Sequence, residues 1–107
     1  MDARKHKRFI VSLEAELLFR DDHIACSIEN ISEVGIYLIT SYSKAVTDLP
    51  PGTSLELTVK FPNGESQHLN CKVKWQYKTP PHGVTNSMGM EIVDPPHSYM
   101  ESLKSLM

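Results

Sequence analysis

The sequence predicts an all-β fold, a small six-stranded antiparallel barrel followed by a short C-terminal α-helix. Apolar and polar residues alternate along most of the chain, which is typical of strands with one buried face. Turn residues divide these alternating runs into six short strands with hairpin connections. The periodicity becomes helical after Asp94-Pro95-Pro96. Closing such strands into a barrel would also remove the exposed edges of an open sheet.

The first part of the chain predicts three strands. The first strand carries its apolar side chains on one face, at Phe9, Val11, Leu13, Ala15, Leu17 and Phe19. A turn at Asp21-Asp22 leads to a second alternating strand, which ends at a polar turn over residues 30–35. A third strand is predicted from about Ile36 to Thr40.

A hairpin is predicted in the middle of the chain. The connection over residues 41–53 leads to a strand over residues 55–61. Pro62-Asn63-Gly64 then signals a hairpin, because Asn-Gly tolerates the positive φ angles of a type I′ turn. The return strand covers residues 69–77, and its alternation places Trp75 on the inward face. Core packing is therefore the first interpretation of Trp75, and stacking on a ligand base at the barrel rim is the alternative.

The last predicted elements are a short strand and a helix. A loop over residues 79–87 leads to a strand over residues 88–92. Ser98 and Glu101 have the spacing of a capping box, which predicts the start of a helix. Apolar residues then recur at helical spacing, at Tyr99, Leu103 and Leu106.

The composition is that of a soluble globular protein. The chain has 107 residues, of which 40% are hydrophobic and 22% charged. No apolar run approaches the roughly 18 residues of a membrane-spanning helix, and the charged N-terminus lacks the apolar core of a signal peptide. We expect a cytoplasmic protein with no membrane insertion. Cys26 and Cys71 match no zinc pattern and are expected to be small buried hydrophobes, and neither a metal nor a cofactor is predicted.

Charge is distributed unevenly along the chain. Residues 4–8 hold four of the 11 Lys and Arg residues, which leaves seven basic residues against 13 acidic ones elsewhere. An acidic body with one basic segment is poorly suited to a long nucleic-acid backbone, but it suits a small, doubly charged anion. A barrel that binds single-stranded nucleic acid is a weaker alternative, which the scarcity of outward-facing aromatic residues also disfavours.

Two short motifs carry the candidate chemistry. Residues 4–8, Arg4-Lys5-His6-Lys7-Arg8, contain an Arg-x-x-x-Arg pair, and the polar turn reads Asn-x-Ser-x-x-Gly. Arginine bonds phosphate bidentately, recognises the O6/N7 edge of guanine and stacks on bases. In the turn, Asn30 and Ser32 offer hydrogen-bonding groups, and Gly35 allows a positive φ or a close backbone approach. Each motif alone is weak, since it is also typical of a solvated basic flank or an ordinary hairpin connection.

In this order and placed on these predicted strands, the two motifs resemble the signatures of the PilZ domain, a bacterial receptor for cyclic di-GMP. The resemblance extends to the strand order, Val73-Lys74-Trp75, Gly89 and the terminal helix. It implies that residues 9–107 form a PilZ-type β-barrel with its C-terminal helix. A flexible basic arm over residues 1–8 would precede the barrel.

The resemblance also implies a binding site for cyclic di-GMP. Its residues would come from both motifs: Arg4, Arg8, Asn30, Ser32 and Gly35. The two arginines would bind phosphate and guanine, and the polar turn would surround one guanine. Lys5 and Trp75 are additional candidate contacts.

The expected function is that of a receptor and not of an enzyme. The sequence contains no Gly-x-Ser-x-Gly elbow, no Gly-rich phosphate loop and no His-Glu-x-x-His motif. We expect cyclic di-GMP to bind the arm and the polar turn, the arm to fold, and an unidentified protein partner to receive the signal. The alternative is a PilZ-fold adaptor that binds a protein but no nucleotide, against which the intact arginines and polar turn argue.

Overall fold

A computed structural model describes residues 7–41, 49–78 and 85–106 of the chain. These residues form a closed barrel of six strands with one short helix, as the sequence predicts. The elements are β1 Phe9–Phe19, β2 Asp22–Ile31, β3 Gly35–Ser41, β4 Ser54–Lys60, β5 Ser66–Lys78, β6 Thr85–Val93 and α1 His97–Lys104. Around the barrel the order is β1-β2-β3-β6-β5-β4, every neighbouring pair is antiparallel, and β1 closes the barrel against β4.

The core fills the barrel with one face of every strand. On β1 the buried side chains are Leu13, Ala15 and Leu17, which confirms the alternation in this strand. The helix adds Tyr99 and Leu103 to the core. Each fully buried large apolar side chain stabilises the fold by about 1.5–3 kcal/mol. No helix in the described part of the chain is long and apolar enough to cross a membrane.

Both cysteines are free thiols and behave as apolar side chains. Cys71 lies in the core, and Cys26 is partly buried against it. Burial raises the pKa of Cys71 to about 12. Burial, with a smaller contribution from the Glu16 carboxylate, also raises the pKa of Cys26 to about 12. Both thiols are therefore protonated at neutral pH and poor nucleophiles.

Several element boundaries differ from the predictions. Phe19 pairs with Asp22, so the β1–β2 turn lies at Arg20-Asp21, one residue earlier than predicted. β5 begins at Ser66 instead of residue 69, and β6 begins at Thr85 instead of residue 88. The start of β6 was predicted as loop because it is polar. Pairing with β3 and β5 on both sides makes it a strand, since tertiary context outweighs β propensity.

The helix does not begin with a capping box. Its N-cap is Pro96, which makes no side-chain capping bond, and Ser98 already lies inside the first turn. Pro96 is extended, with ψ at 153°, and its carbonyl accepts from the Tyr99 N–H at 3.0 Å and from the Met100 N–H at 3.4 Å, which begins the helical bonding. The Ser98 hydroxyl instead donates to Gln67 Oε1 of β5 at 3.0 Å. The serine therefore fastens the helix to the barrel wall.

The β4–β5 hairpin lies where predicted but is not a type I′ turn. Its three-residue loop has one residue with positive φ, Gly64 at +90°, whereas Asn63 has negative φ. The Gly64 N–H donates to the Phe61 carbonyl at 3.0 Å, and the Phe61 N–H donates to the Glu65 carbonyl at 2.9 Å. Asn63 Oδ1 accepts from the Glu65 N–H at 3.0 Å. This pattern is typical of a type I turn followed by a glycine bulge.

Replacing Gly64 by alanine should lower the free energy of unfolding by about 1–2 kcal/mol, because an L-residue is strained at this φ. No atom beyond the adjacent residues lies within 4 Å of the added Cβ, so the loss would come from backbone strain and not from a steric clash. Urea denaturation provides the measurement. Gly64→Asn should lose less stability, since asparagine tolerates the left-handed region. An unchanged midpoint for Gly64→Ala would contradict this explanation.

Candidate functional site

A cavity of about 330 Å³ opens beside Arg8, the residue that precedes β1. It brings together residues from both sequence motifs and one strand: Arg8, Asn30, Ser32, Gly35 and Trp75. Tyr37, Lys74 and Gly89 also line it. The other two predicted contacts, Arg4 and Lys5, lie outside the described residues. The volume is within the range of small-molecule sites.

Ser32 organises the polar turn. Its hydroxyl oxygen accepts from the Val34 N–H at 3.2 Å and from the Gly35 N–H at 3.1 Å. Its own N–H donates to the Gly35 carbonyl at 2.9 Å, and the side chain is 4% exposed. The Val34 carbonyl accepts from the Ile92 N–H at 2.9 Å, which ties the turn to β6. These bonds hold Asn30 and Gly35 in position at the cavity.

Gly35 allows a close backbone approach and has no unusual backbone angle. Positive φ among the described glycines occurs at Gly52 and Gly64, so Gly35 does not use the left-handed region. A Cβ at Gly35 would lie 3.2 Å from the Met90 carbonyl oxygen of β6. Of the two roles predicted for this glycine, close backbone approach is the one that the structure uses.

Trp75 points out of the barrel, so the prediction of core packing was wrong. Its side chain is 39% exposed and lines the cavity. Val73 pairs with Met90 and Trp75 with the adjacent Gly89, so Lys74 is an extra residue on β5. This bulge shifts the alternation by one residue, because successive side chains in a strand point to opposite faces. It also places Lys74 at the cavity.

The Trp75 indole rests against Gly89 and contacts the rings of two tyrosines. A Cβ at Gly89 would lie 2.3 Å from Trp75 Cε2, so only glycine accommodates the ring in this position. The Tyr37 ring is tilted against the indole at a centroid distance of 5.4 Å, and Tyr77 stacks on it at 5.3 Å. The Tyr37 hydroxyl donates to Ser87 Oγ at 3.4 Å. These contacts restrict the orientation of the indole at the cavity.

The charge of the cavity is positive. Arg8 and Lys74 are the charged side chains among its described lining, and no carboxylate is among them. Two cations beside an exposed indole suit an anion that carries a planar ring, since the cations attract phosphate and the indole stacks on a base. Sequence reasoning missed Tyr37 and Lys74. Nothing in the adjacent sequence marks Lys74 as a cavity residue, whereas Tyr37 is an aromatic residue two positions after the polar turn.

Comparisons with known proteins agree with this architecture. The sequence profile of the PilZ domain matches residues 2–107. The structure is similar to that of the Bacillus subtilis inhibitor of motility (MotI/DgrA), with a TM-score of 0.76 and 17% identity. That match covers 99% of this chain and 48% of the other, so this chain spans about half the length of that protein.

A second similar structure is the PilZ domain of YcgR from Escherichia coli with c-di-GMP. The TM-score is 0.73 at 11% identity, over 96% of this chain and 87% of that chain. A comparison with curated protein sequences finds no match. The two structural likenesses support the fold, and the profile match extends from residue 2 to the last residue. This chain therefore belongs to the PilZ domain family.

Proposed function

We propose that the chain is a receptor for cyclic di-GMP. The nucleotide binds in the cavity, and the receptor with bound nucleotide signals to a protein partner. The observation that carries this proposal is the position of Arg8, Asn30 and Trp75 around one positively charged cavity. These groups match the parts of the ligand, which has two phosphates and two guanines. Membership of the PilZ family and the c-di-GMP in the YcgR structure support the same ligand.

Each side chain has a distinct role in the proposed complex. The Arg8 guanidinium bonds a phosphate or the O6/N7 edge of a guanine, and Lys74 contributes positive potential without the planar geometry. Asn30 reads a base edge, because its amide both donates and accepts. The Trp75 indole stacks on a base. Ser32 and Gly35 keep the polar turn close to the guanine.

The basic arm completes the proposed site. Arg4 and Lys5 contact the ligand when the arm, residues 1–8, folds over the polar turn. Ordering the arm costs roughly 1–2 kcal/mol per residue in backbone entropy, which charge-assisted hydrogen bonds to the phosphates offset. The folded arm presents a new surface to a protein partner. In this proposal the protein acts in the cytoplasm, and the ligand is released unchanged.

Titration with cyclic di-GMP tests the proposal. Isothermal calorimetry should show saturable binding of cyclic di-GMP, and no binding of GMP or cyclic di-AMP under the same conditions. The molar ratio gives the stoichiometry. Because Trp75 is the single tryptophan of the chain and lines the cavity, its fluorescence should change along the same binding curve. Absence of heat at high micromolar ligand, from protein shown to be folded, would reject the receptor and favour an adaptor that binds no nucleotide.

A further inference from the structure

A buried hydrogen bond connects the C-terminal helix to the polar turn. The Tyr99 hydroxyl of α1 donates to the backbone carbonyl of Ser32 at 2.6 Å. Tyr99 has 0% exposure, and burial holds its pKa well above the usual range of tyrosine, with smaller contributions from Cys71 and Glu33. The hydroxyl therefore stays protonated and remains a donor. Without it, the Ser32 carbonyl would be left buried and unpaired, which is costly.

Ser32 is held on two sides. Its carbonyl accepts from Tyr99 of the helix, whereas its hydroxyl accepts from the Val34 and Gly35 amides of the turn. The turn that lines the cavity is therefore built around a residue whose backbone position depends on the helix. A shift of α1 by about 1 Å would move Ser32 or break this bond, because a separation of about 3.6 Å is no longer a hydrogen bond.

The helix has a separate set of polar anchors on the barrel. Ser102 Oγ accepts from Gln67 Nε2 at 3.0 Å and donates to Glu65 Oε2 at 2.9 Å. Ser98 donates to the same glutamine. These bonds fix α1 to the β4–β5 hairpin and the start of β5 without contacting the polar turn. Removing one of these anchors lowers stability without removing the hydrogen bond between Tyr99 and Ser32.

We propose that Tyr99 is a positioning residue of the nucleotide site, which makes the affinity for cyclic di-GMP depend on the hydrogen bond between α1 and Ser32. This inference rests on the function proposed above. Because such coupling is reciprocal, bound nucleotide strengthens the Tyr99–Ser32 hydrogen bond by the same factor by which that bond strengthens nucleotide binding. A protein that binds α1 and breaks this hydrogen bond would thereby lower the affinity for nucleotide, and its own affinity would depend on whether nucleotide is bound.

Tyr99→Phe tests the proposal, because it removes the hydroxyl and keeps the ring that packs edge-on to Phe61 at 6.2 Å. We expect the affinity for cyclic di-GMP to fall by about tenfold, within the usual range of coupling between sites. Hydrogen exchange measured by NMR without ligand should become faster at the Val34 and Gly35 amides, which bond to Ser32. Thermal unfolding would show that the variant is folded.

Ser102→Ala is the matched control, because it removes a buried hydroxyl from the same helix. It should lower thermal stability to a similar extent as Tyr99→Phe, yet keep the affinity within twofold and leave exchange at Val34 and Gly35 unchanged. Equal loss of affinity in both variants would overturn the proposal, since general destabilisation would then explain both. Unchanged affinity and exchange in Tyr99→Phe would also overturn it. If the unmodified protein binds no cyclic di-GMP, the receptor function fails, and the exchange data alone decide whether Tyr99 positions the turn.

Discussion

Replacing Arg8 by alanine should weaken the binding of cyclic di-GMP by about 100-fold or more. Arg8 lines the cavity and directly precedes β1. No carboxylate among the described lining residues balances its positive charge. Losing a charged group that bonds phosphate or guanine costs about 2–5 kcal/mol, and 1.4 kcal/mol corresponds to a factor of ten in affinity. Calorimetric titration measures the loss. Stability should hardly change, because the side chain is exposed.

Two further variants distinguish direct bonding of Arg8 to the ligand from a general effect of positive charge on affinity. Arg20→Ala removes the same charge at the other end of β1, where Arg20 lies over the Phe19 ring and outside the cavity lining. Its affinity should stay within about twofold of the unmodified protein, because exposed charges that are far apart are screened by salt. Arg8→Lys keeps the charge and loses the planar fork, so its affinity should be intermediate. Equal losses for Arg8→Ala and Arg20→Ala would contradict a direct role for Arg8.

The barrel was predictable from sequence because each strand buries one face. On β1 the inward positions Leu13, Ala15 and Leu17 alternate with exposed glutamates, and this pattern survives in the structure. The same logic failed at Trp75. A bulge depends on how β5 pairs with β6, and a single strand carries no sign of its pairing partner. One extra residue at Lys74 was enough to move the indole from the predicted core to the cavity.

Local sequence motifs predicted the positions of the β4–β5 hairpin and of the helix correctly, but they predicted part of the geometry wrongly. Asn63-Gly64 marked the hairpin, but the asparagine side chain bonds to the Glu65 N–H, and a three-residue loop forms. Ser98 indicated the start of the helix, but the N-cap is Pro96, and the serine bonds to the barrel. In both cases the polar side chain found a backbone or tertiary partner other than the one that the motif suggested.

The candidate site was predictable in its members and less so in their roles. Arg8, Asn30, Ser32 and Gly35 meet at one cavity, although they come from two separate motifs. The Ser32 hydroxyl lies at the cavity and also accepts from the amides of its own turn, as in an ordinary hairpin connection. The bond from Tyr99 joins positions 67 residues apart in sequence. Sequence spacing cannot reveal such a contact, because it forms only when the helix docks on the closed barrel.

The Trp75 indole packs so closely against Gly89 that no room is left for a side chain at position 89. Gly89→Ala should lower the free energy of unfolding by about 1–3 kcal/mol, because the added Cβ would lie 2.3 Å from the indole and the ring must move. The tyrosines at 5.4 and 5.3 Å limit where it can go. Urea denaturation measures the loss, and a red shift of the Trp75 fluorescence would report the greater exposure of the ring. Binding of cyclic di-GMP should weaken as well, since the stacking surface is displaced.

A double-mutant cycle with Trp75→Ala distinguishes this steric cause from a backbone requirement at Gly89. In the Trp75→Ala background the added methyl group meets no indole, so Gly89→Ala should cost less than about 0.5 kcal/mol, as at an unremarkable surface site. The two substitutions should therefore be strongly non-additive, as expected for residues in direct contact. An equal cost in both backgrounds would mean that the β6 backbone itself needs glycine. Non-additivity would instead show that Gly89 serves the cavity indirectly, because it leaves the space in which Trp75 is held at the rim.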